Sequence, residues 1–359
     1  MKQLRDYANE INKCSKCGLC QSVCPIYKIT GNDCAVSKGK FVMLDGVLRG
    51  DLRLSKTINK YLEMCLKCGK CSNFCPSGID VCEIFSTAKA EYIKNKTEGK
   101  LVKILESDKI FDRLINFAEK LHRRKPLTQK VNPISTLMFF KGCANKIFPS
   151  SEFAVKKIFS NLPYNLIEPN NIKCCGVPFL SSGNLERYED VKNFNSDIMN
   201  NADCDYILTD CASCLSALKN YKTINKPIID IIEFLSGLDL EFNFQKNTRV
   251  TFHKPCHFDN YDAFIKLIAK CKNVEYIEMP DYDECCGFAG QFALTNRKLS
   301  LQISKNKVNN AISVNPDIIL TSCPACIIGL KQGLLQIKTK NCPKIMNITE
   351  FIANAHITN

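Results

Sequence analysis

Two copies of one cysteine spacing constrain this chain more than any other feature. Cys14-x2-Cys17-x2-Cys20-x3-Cys24-Pro25 recurs as Cys65-x2-Cys68-x2-Cys71-x3-Cys75-Pro76. A cubane iron–sulfur cluster needs four thiolates converging from a tightly turned segment; the x2 gaps supply three, and a remote fourth closes the set. Zinc ribbons instead pair C-x2-C with C-x2-C, and have no use for three cysteines in register followed by Cys-Pro. Where two such runs occur together, the fourth cysteine of each serves the other cluster. The spacing therefore predicts one [4Fe–4S] cluster on Cys14, Cys17, Cys20 and Cys75, and a second on Cys65, Cys68, Cys71 and Cys24. Buried cubanes shuttle single electrons, so electron transfer is the expected chemistry.

The wider cysteine count agrees. The chain holds 23 cysteines in 359 residues, with only four histidines and no tryptophan. An odd count cannot pair fully within one chain, and a chain this long builds a core without disulfide staples. The residues after Met1 are polar and lack the apolar core of a secretion signal, so a cytoplasmic location is expected. No apolar run approaches the ~18 residues that span a bilayer. No GxGxxG opens a helix after a strand and no GxxxxGK[ST] occurs, which leaves no cradle for flavin or nicotinamide. Hydride chemistry would then fall to a partner subunit.

Charge is uneven. The net charge is +13, and residues 1–130 carry 25 Lys and Arg against 14 Asp and Glu, whereas the remainder carries 24 against 22. The basic residues are scattered among cysteines, not clustered with stacking aromatics, which argues against nucleic acid. An acidic protein face, or an anionic surface on the cytoplasmic side of the inner membrane, fits better. Apolar residues at steps of three and four through 101–121, ended by His122-Arg-Arg-Lys-Pro126, predict a basic amphipathic helix that packs on its own protein or lies on a membrane.

From residue 131 the sequence repeats itself. Asp205-Tyr-Ile-Leu-Thr-Asp-Cys-Ala-Ser-Cys214 matches Asp317-Ile-Ile-Leu-Thr-Ser-Cys-Pro-Ala-Cys326 at an offset of 112, and Leu137-Met-Phe-Phe-Lys-Gly-Cys143 matches Val250-Thr-Phe-His-Lys-Pro-Cys256 at 113. Short apolar runs alternate with helical patterns, and Tyr206-Ile-Leu-Thr209 and Ile318-Ile-Leu-Thr321 read as buried parallel strands ending at a CxxC that opens a helix. The expected class is α+β: a helical two-cluster domain over 1–92, a basic helix and linker over 93–130, and two α/β repeats over 131–244 and 245–359. Within the first part, 31–54 is expected to be a loop with one short helix.

Each repeat offers five cysteines: Cys143, Cys174, Cys175, Cys211 and Cys214, then Cys256, Cys285, Cys286, Cys323 and Cys326. Five thiolates exceed a simple tetrahedral site. Either an unusual cluster forms, or zinc is held, or one thiol stays free for chemistry. His253 and His257 flank Cys256 and offer a proton or hydrogen bond to cluster sulfur or substrate, unless they are structural. The remaining cysteines, Cys34, Cys82, Cys204, Cys271 and Cys342, are expected to be small buried hydrophobes, with Cys82 nearest a cluster.

These motifs carry a resemblance. Cys24-Pro-Ile-Tyr27, Cys75-Pro-Ser-Gly-Ile-Asp80, His253-Lys-Pro-Cys-His257 and Cys285-Cys-Gly-Phe-Ala-Gly290 resemble the glycolate oxidase iron–sulfur subunit family, and the tail resembles the duplicated CCG domain of heterodisulfide reductase. The resemblance spans nearly the whole chain. It implies a subunit that takes electrons from a flavin-containing 2-hydroxy acid dehydrogenase subunit, acting on glycolate or D-lactate, and passes them towards a membrane quinone or similar acceptor. The reductase branch implies noncubane [4Fe–4S] clusters in the repeats and disulfide chemistry at Cys285 and Cys286. Both CxxC motifs are complete here, which departs from many glycolate oxidase members and adds weight to the reductase-like alternative. Ser37-Lys-Gly-Lys40 replaces a family arginine, keeping the charge without the forked geometry.

Overall fold

The computed structural model describes residues 2–94, 117, 132–169, 171–339 and 342–358. The amphipathic segment expected at 101–121 lies outside these residues except for Phe117.

Up to residue 94 the described chain is helical and contains no strand. Short helices Leu19–Ser22, Pro25–Thr30 and Lys70–Asn73 follow the cysteines, and longer helices Ser37–Arg49, Lys56–Glu63 and Val81–Lys94 pack behind them. Both cysteine runs turn the same way. Lys16 and Gly18 take φ of 59° and 87°, and Lys67 and Gly69 take 54° and 72°. These left-handed residues bend the loop so that backbone N–H groups face sulfur; the Lys67 N–H donates to Cys65 Sγ at 3.4 Å. Pro25 then starts its helix at the position where a missing N–H costs nothing. Leu4, Tyr7, Phe41, Leu44, Ile84 and Phe85 close a small core behind the cysteines.

The 31–54 segment corrects the sequence reading. Instead of a loop with one short helix, it contains a 13-residue helix, Ser37–Arg49, after a 3-10 turn at Asp33–Ala35. A Cβ on Gly39 would lie 2.1 Å from the Asp33 carbonyl oxygen, and one on Gly46 would lie 2.9 Å from Leu52. The glycines mark close packing against the helix, not a break in it.

The rest of the molecule is two parallel sheets with one topology. Strands β1 (Ser135–Phe139), β2 (Tyr164–Ile167), β3 (Tyr206–Thr209) and β4 (Ile228–Asp230) run in the order β2-β1-β3-β4. Strands β5 (Glu241–Phe252), β6 (Cys271–Tyr276), β7 (Ile318–Thr321) and β8 (Lys344–Asn347) repeat it as β6-β5-β7-β8, and β9 (His356–Thr358) adds an antiparallel edge to β5. Register agrees too: Leu137 pairs with Tyr206, and Val250 with Ile318. Leu137, Met138, Phe139 and Phe140 are all fully buried, the continuous apolar run of a strand covered on both faces. In each sheet the order reverses between the first and third strands, which opens a crevice at their carboxyl ends where α/β sheets bind ligands.

Candidate metal centre

In the helical part, the thiols of both runs face one another. A cavity is lined by Cys14, Cys17 and Cys20 from the first run and by Cys71, Cys75 and Pro76 from the second. Cys24 turns the other way: burial pushes its thiol up, with Cys65 among its charged neighbours. Burial and then the Cys65 charge push Cys71 up to about 12, with Cys24 also acting on it. Cys75 and Cys71 thus share a cavity with the first run, and Cys24 lies near Cys65 and Cys71 as well as Cys20.

A buried lysine, Lys40, and a half-buried one, Lys67, sit among these sulfurs. Lys40 donates to the Met64 carbonyl at 3.2 Å and lies 5.3 Å over the Phe85 ring. Lys67 donates to the Cys82 carbonyl at 3.2 Å and to Ser86 Oγ at 3.0 Å. Burial alone would push the Cys65 thiol up, but Lys40, Lys67 and the Lys67 N–H outweigh it and hold Cys65 below its ordinary value. Cys82, pushed up to about 12 by burial and then by Cys65, neighbours this set. Lys40 thus supplies buried positive charge without needing an arginine fork. Cys17 is exposed, and Leu19, at 49% exposure, lines the same cavity.

In the repeats, the motif cysteines sit at the carboxyl ends of strands, on the loop or in the first turn of the helix that follows. Cys143 follows β1, Cys174 and Cys175 follow β2, and Cys211 follows β3 and caps helix Ala212–Asn220. Cys256, Cys285, Cys286 and Cys323 follow β5, β6 and β7 in the same way, with Cys323 capping helix Pro324–Leu334. In the first repeat the Cys143 and Cys174 sulfurs are 3.4 Å apart, as are those of Cys175 and Cys214. Two thiolates on one tetrahedral metal, each about 2.3 Å from it, would stand about 3.8 Å apart. The donors therefore fit a shared metal or a compact iron–sulfur centre. Hydrogen bonds from Cys174 and Cys214 pull Cys175 down to about 5, and those from Cys285 and Cys326 pull Cys286 down to about 5. In each repeat the second cysteine of the adjacent pair is thus lowered, and in the second repeat hydrogen bonds from Cys211 and Cys326 lower Cys323 as well.

The glycine after each pair is required. Gly176 and Gly287 have φ of 80° and 83°, and a Cβ on Gly287 would lie 2.8 Å from the Ser300 carbonyl oxygen. That proximity seats the Cys285–Cys286 loop on helix Arg297–Ile312, where Ser300 and Ser304 hydroxyls donate to the Gly287 and Cys286 carbonyls at 2.9 and 2.7 Å.

The four sets of cysteines form a row. Burial and then the Cys285 and Cys256 charges drive the Cys68 thiol well up, and Cys68 and Cys24 both pack against the apolar cluster that includes Cys285. Ile26, Ala35 and Leu66 pack with Cys285, Phe292 and Ile303 in a core across that seam. The two repeats meet at their CxxC loops, where the Ala212 N–H donates to the Ser322 carbonyl at 2.9 Å and Cys211 and Cys323 hydrogen-bond each other. Ser213 Oγ lies 3.5 Å from Cys323 Sγ and 3.3 Å from His257 Nδ1, while His257 Nε2 lies 3.3 Å from the Lys67 carbonyl oxygen. A chain of polar contacts thus runs from the second cysteine run to Cys323.

Sequence reasoning singled out Lys40 and His257 but missed this link and Lys67. No spacing signals them, because their partners lie 15 to 190 residues away. Cys204 and Cys271 are buried as expected, but Cys34 and Cys342 are exposed, a correction that follows from their places on a surface turn and a loop end.

Comparison with known proteins settles the domain types. The 4Fe-4S dicluster domain family matches residues 10–79, and the cysteine-rich domain family matches 137–219 and again 250–331. The chain is a 4Fe-4S dicluster domain followed by two cysteine-rich domains. The dicluster and cysteine-rich domains together align with longer relatives at low identity. A fumarate reductase (CoM/CoB) subunit of Methanothermobacter marburgensis is 25% identical over 97% of this chain and 73% of its own length. The glycolate oxidase iron–sulfur subunit of Escherichia coli is 23% identical over 88% of both chains. A subunit of the dihydromethanophenazine:CoB–CoM heterodisulfide reductase of Methanosarcina barkeri is 22% identical over 96% of this chain and 94% of its own. A Helicobacter pylori protein of known structure shares the fold, with a TM-score of 0.54 at 11% identity, covering 88% of this chain and 67% of that one.

Proposed function

We propose that this chain is the iron–sulfur electron-transfer subunit of an oxidoreductase complex of the glycolate or D-lactate dehydrogenase type. A separate flavin-containing subunit oxidises the 2-hydroxy acid, and this chain carries the electrons towards a quinone or similar acceptor. The observation that carries the reading is the unbroken row of four cysteine sets, from exposed Cys17, through Cys68 and Cys285, to Cys211 and Cys143. In this reading Cys14, Cys17, Cys20 and Cys75 hold one [4Fe–4S] cluster and Cys65, Cys68, Cys71 and Cys24 the other, within a domain spanning 1–92. The repeats, 131–244 and 245–359, follow the 93–130 connection.

When bound, such clusters supply single-electron steps at low reorganisation cost. The chain's own residues do the rest. Lys40 and Lys67 offset thiolate charge, the two lysine–acid pairs at Asp283 and Glu284 fix the helical domain on the second repeat, and exposed Leu19 leaves an apolar spot beside Cys17 for a partner. The basic surplus of 1–130 favours an acidic partner face, with an association rate that falls as salt rises. In this reading contact with a quinone pool is peripheral, on the cytoplasmic face; no helix among the described residues is long and apolar enough to cross a membrane.

A second reading has its own support: both CxxC motifs are complete, and Cys286 is held as a thiolate beside Cys285. This arrangement suits disulfide reduction at noncubane clusters. Anaerobically loaded protein separates the two. The first reading expects about eight irons from two cubanes, plus any in the repeats, and rapid reduction by the flavoprotein given glycolate or D-lactate. The second expects disulfide turnover that Cys286→Ser abolishes with the cubanes intact. Protein that binds no iron or sulfide would defeat both.

A further inference from the structure

The two repeats are alike in strand order, register and cysteine placement, but they differ at one buried position beside the sulfurs. Phe140 and His253 occupy the same backbone site: each follows the first strand of its sheet, and their N–H groups donate to the Leu208 and Leu320 carbonyls, both at 2.8 Å. Phe140 is fully buried, and so is His253. An apolar ring is at home in this place, as the first repeat shows. An imidazole there has two polar atoms to satisfy, and neither completes a hydrogen bond.

What surrounds the ring explains its presence. One nitrogen of His253 lies within 4.8 Å of both the Cys286 and Cys326 sulfurs, which are themselves that close to each other. The Tyr282 carbonyl, already accepting from the Lys254 N–H at 3.0 Å, lies near enough to polarise the ring. A ring held between a carbonyl and a set of thiolates is the usual environment of a metal-bound histidine, whose other N–H faces a backbone oxygen. Nitrogen and sulfur ligands on one metal would stand about 3.5–3.8 Å apart, a gap that a small side-chain rotation closes from the observed spacing.

We propose that His253 supplies a nitrogen ligand to the metal centre of the second repeat, beside Cys286 and Cys326. The first repeat, with Phe140 in that place, then holds an all-thiolate centre, and the two centres are chemically distinct. A neutral imidazole bound in place of one of the five thiolates raises the reduction potential of an iron–sulfur centre. The second-repeat centre, next to Cys68, is thereby the more readily reduced of the two. The assignment rests on the iron–sulfur reading above and adds a ligand to it.

The test loads the full chain anaerobically with iron and sulfide and reads nitrogen couplings by pulsed electron paramagnetic resonance. Growth with 15N-histidine, which needs no substitution, should alter a strong nitrogen coupling in the reduced protein. His253→Phe, which installs the residue the first repeat already accommodates, should remove that coupling and lower the potential of one centre. His257→Asn should leave both unchanged. Iron bound in the repeats without a histidine coupling would overturn the ligand assignment and leave the electron-transfer reading standing. Iron confined to the two cubanes would overturn it as well. Absence of the cubanes would be the separate failure of the proposed function.

Discussion

Lys70 Nζ lies 2.9 Å from Asp283 Oδ1, joining the loop between Cys68 and Cys71 to the residue two places before Cys285. Lys28, four residues past Cys24, pairs with Glu284 in the same way. Each cation belongs to a cysteine run and each carboxylate to the Cys285–Cys286 loop, so both pairs set the distance between two donor sets. Partly exposed pairs of this kind contribute only about 0.2–1 kcal/mol each to stability. Their effect should therefore fall on electron passage.

Reversing both carboxylates, as Asp283→Lys with Glu284→Lys, is expected to slow reduction of the repeats by the helical domain at least several-fold while leaving total iron unchanged. Adding Lys28→Glu and Lys70→Glu should restore much of the rate. Stopped-flow reduction of the loaded protein measures this, and an unchanged rate in the double reversal would remove the seam from the electron path.

Exchange of the fourth cysteines has a distinctive consequence. Cys75→Ala should disturb the centre on Cys14, Cys17 and Cys20, and Cys24→Ala the one on Cys65, Cys68 and Cys71. Each variant should lose up to about four irons, and the spectra of Cys75→Ala and Cys14→Ala should match. If Cys75→Ala instead resembles Cys65→Ala, each run serves its own cluster.

Gly287→Ala is expected to cost about 1–3 kcal/mol, because φ of 83° is strained for alanine and its Cβ would press on the Ser300 carbonyl at 2.8 Å. Gly237→Ala, where no atom lies within 4 Å of the added Cβ, is the control. Thermal unfolding of the metal-free chains compares them, and equal melting temperatures would contradict the packing described.

Asp230 gives a pH prediction. Burial pushes its carboxyl up to about 7, with Asp210 and Glu233 adding to this, against the Ile232 N–H bond and Lys219. A raised folded-state value means a contribution fully present below pH 3.8 and lost as pH rises through about 7, at about 1.4 kcal/mol per unit. Asp230→Asn keeps the cap that accepts from the Ile232 N–H at 2.8 Å. Its stability advantage over the native chain should grow from pH 4 to pH 7 and then level off. A difference that stays flat across that range would show that Asp230 titrates normally.

Much of this was legible beforehand. The offsets of 112 and 113 residues placed both sheets, and the CxxC after an apolar tetrad placed strand, loop and helix together, since Cys211 and Cys323 cap the helices they open. Glycine misled at 39 and 46, where it permits contact with Asp33 and Leu52, because a composition rich in Gly and Lys reads the same in a loop as on a crowded helix. The seam was illegible for a different reason: Lys28 and Glu284 are 256 residues apart, and nothing in either neighbourhood marks a partner. His253 stood in plain view opposite Phe140, but only burial and the missing hydrogen bonds give the difference meaning.

The backbone bond from Ala212 to Ser322, with Cys211 against Cys323 beside it, makes the two repeats a single unit of assembly. A truncation near residue 244 would not yield a smaller working half. It would expose a sheltered sulfur edge as open, oxidisable surface.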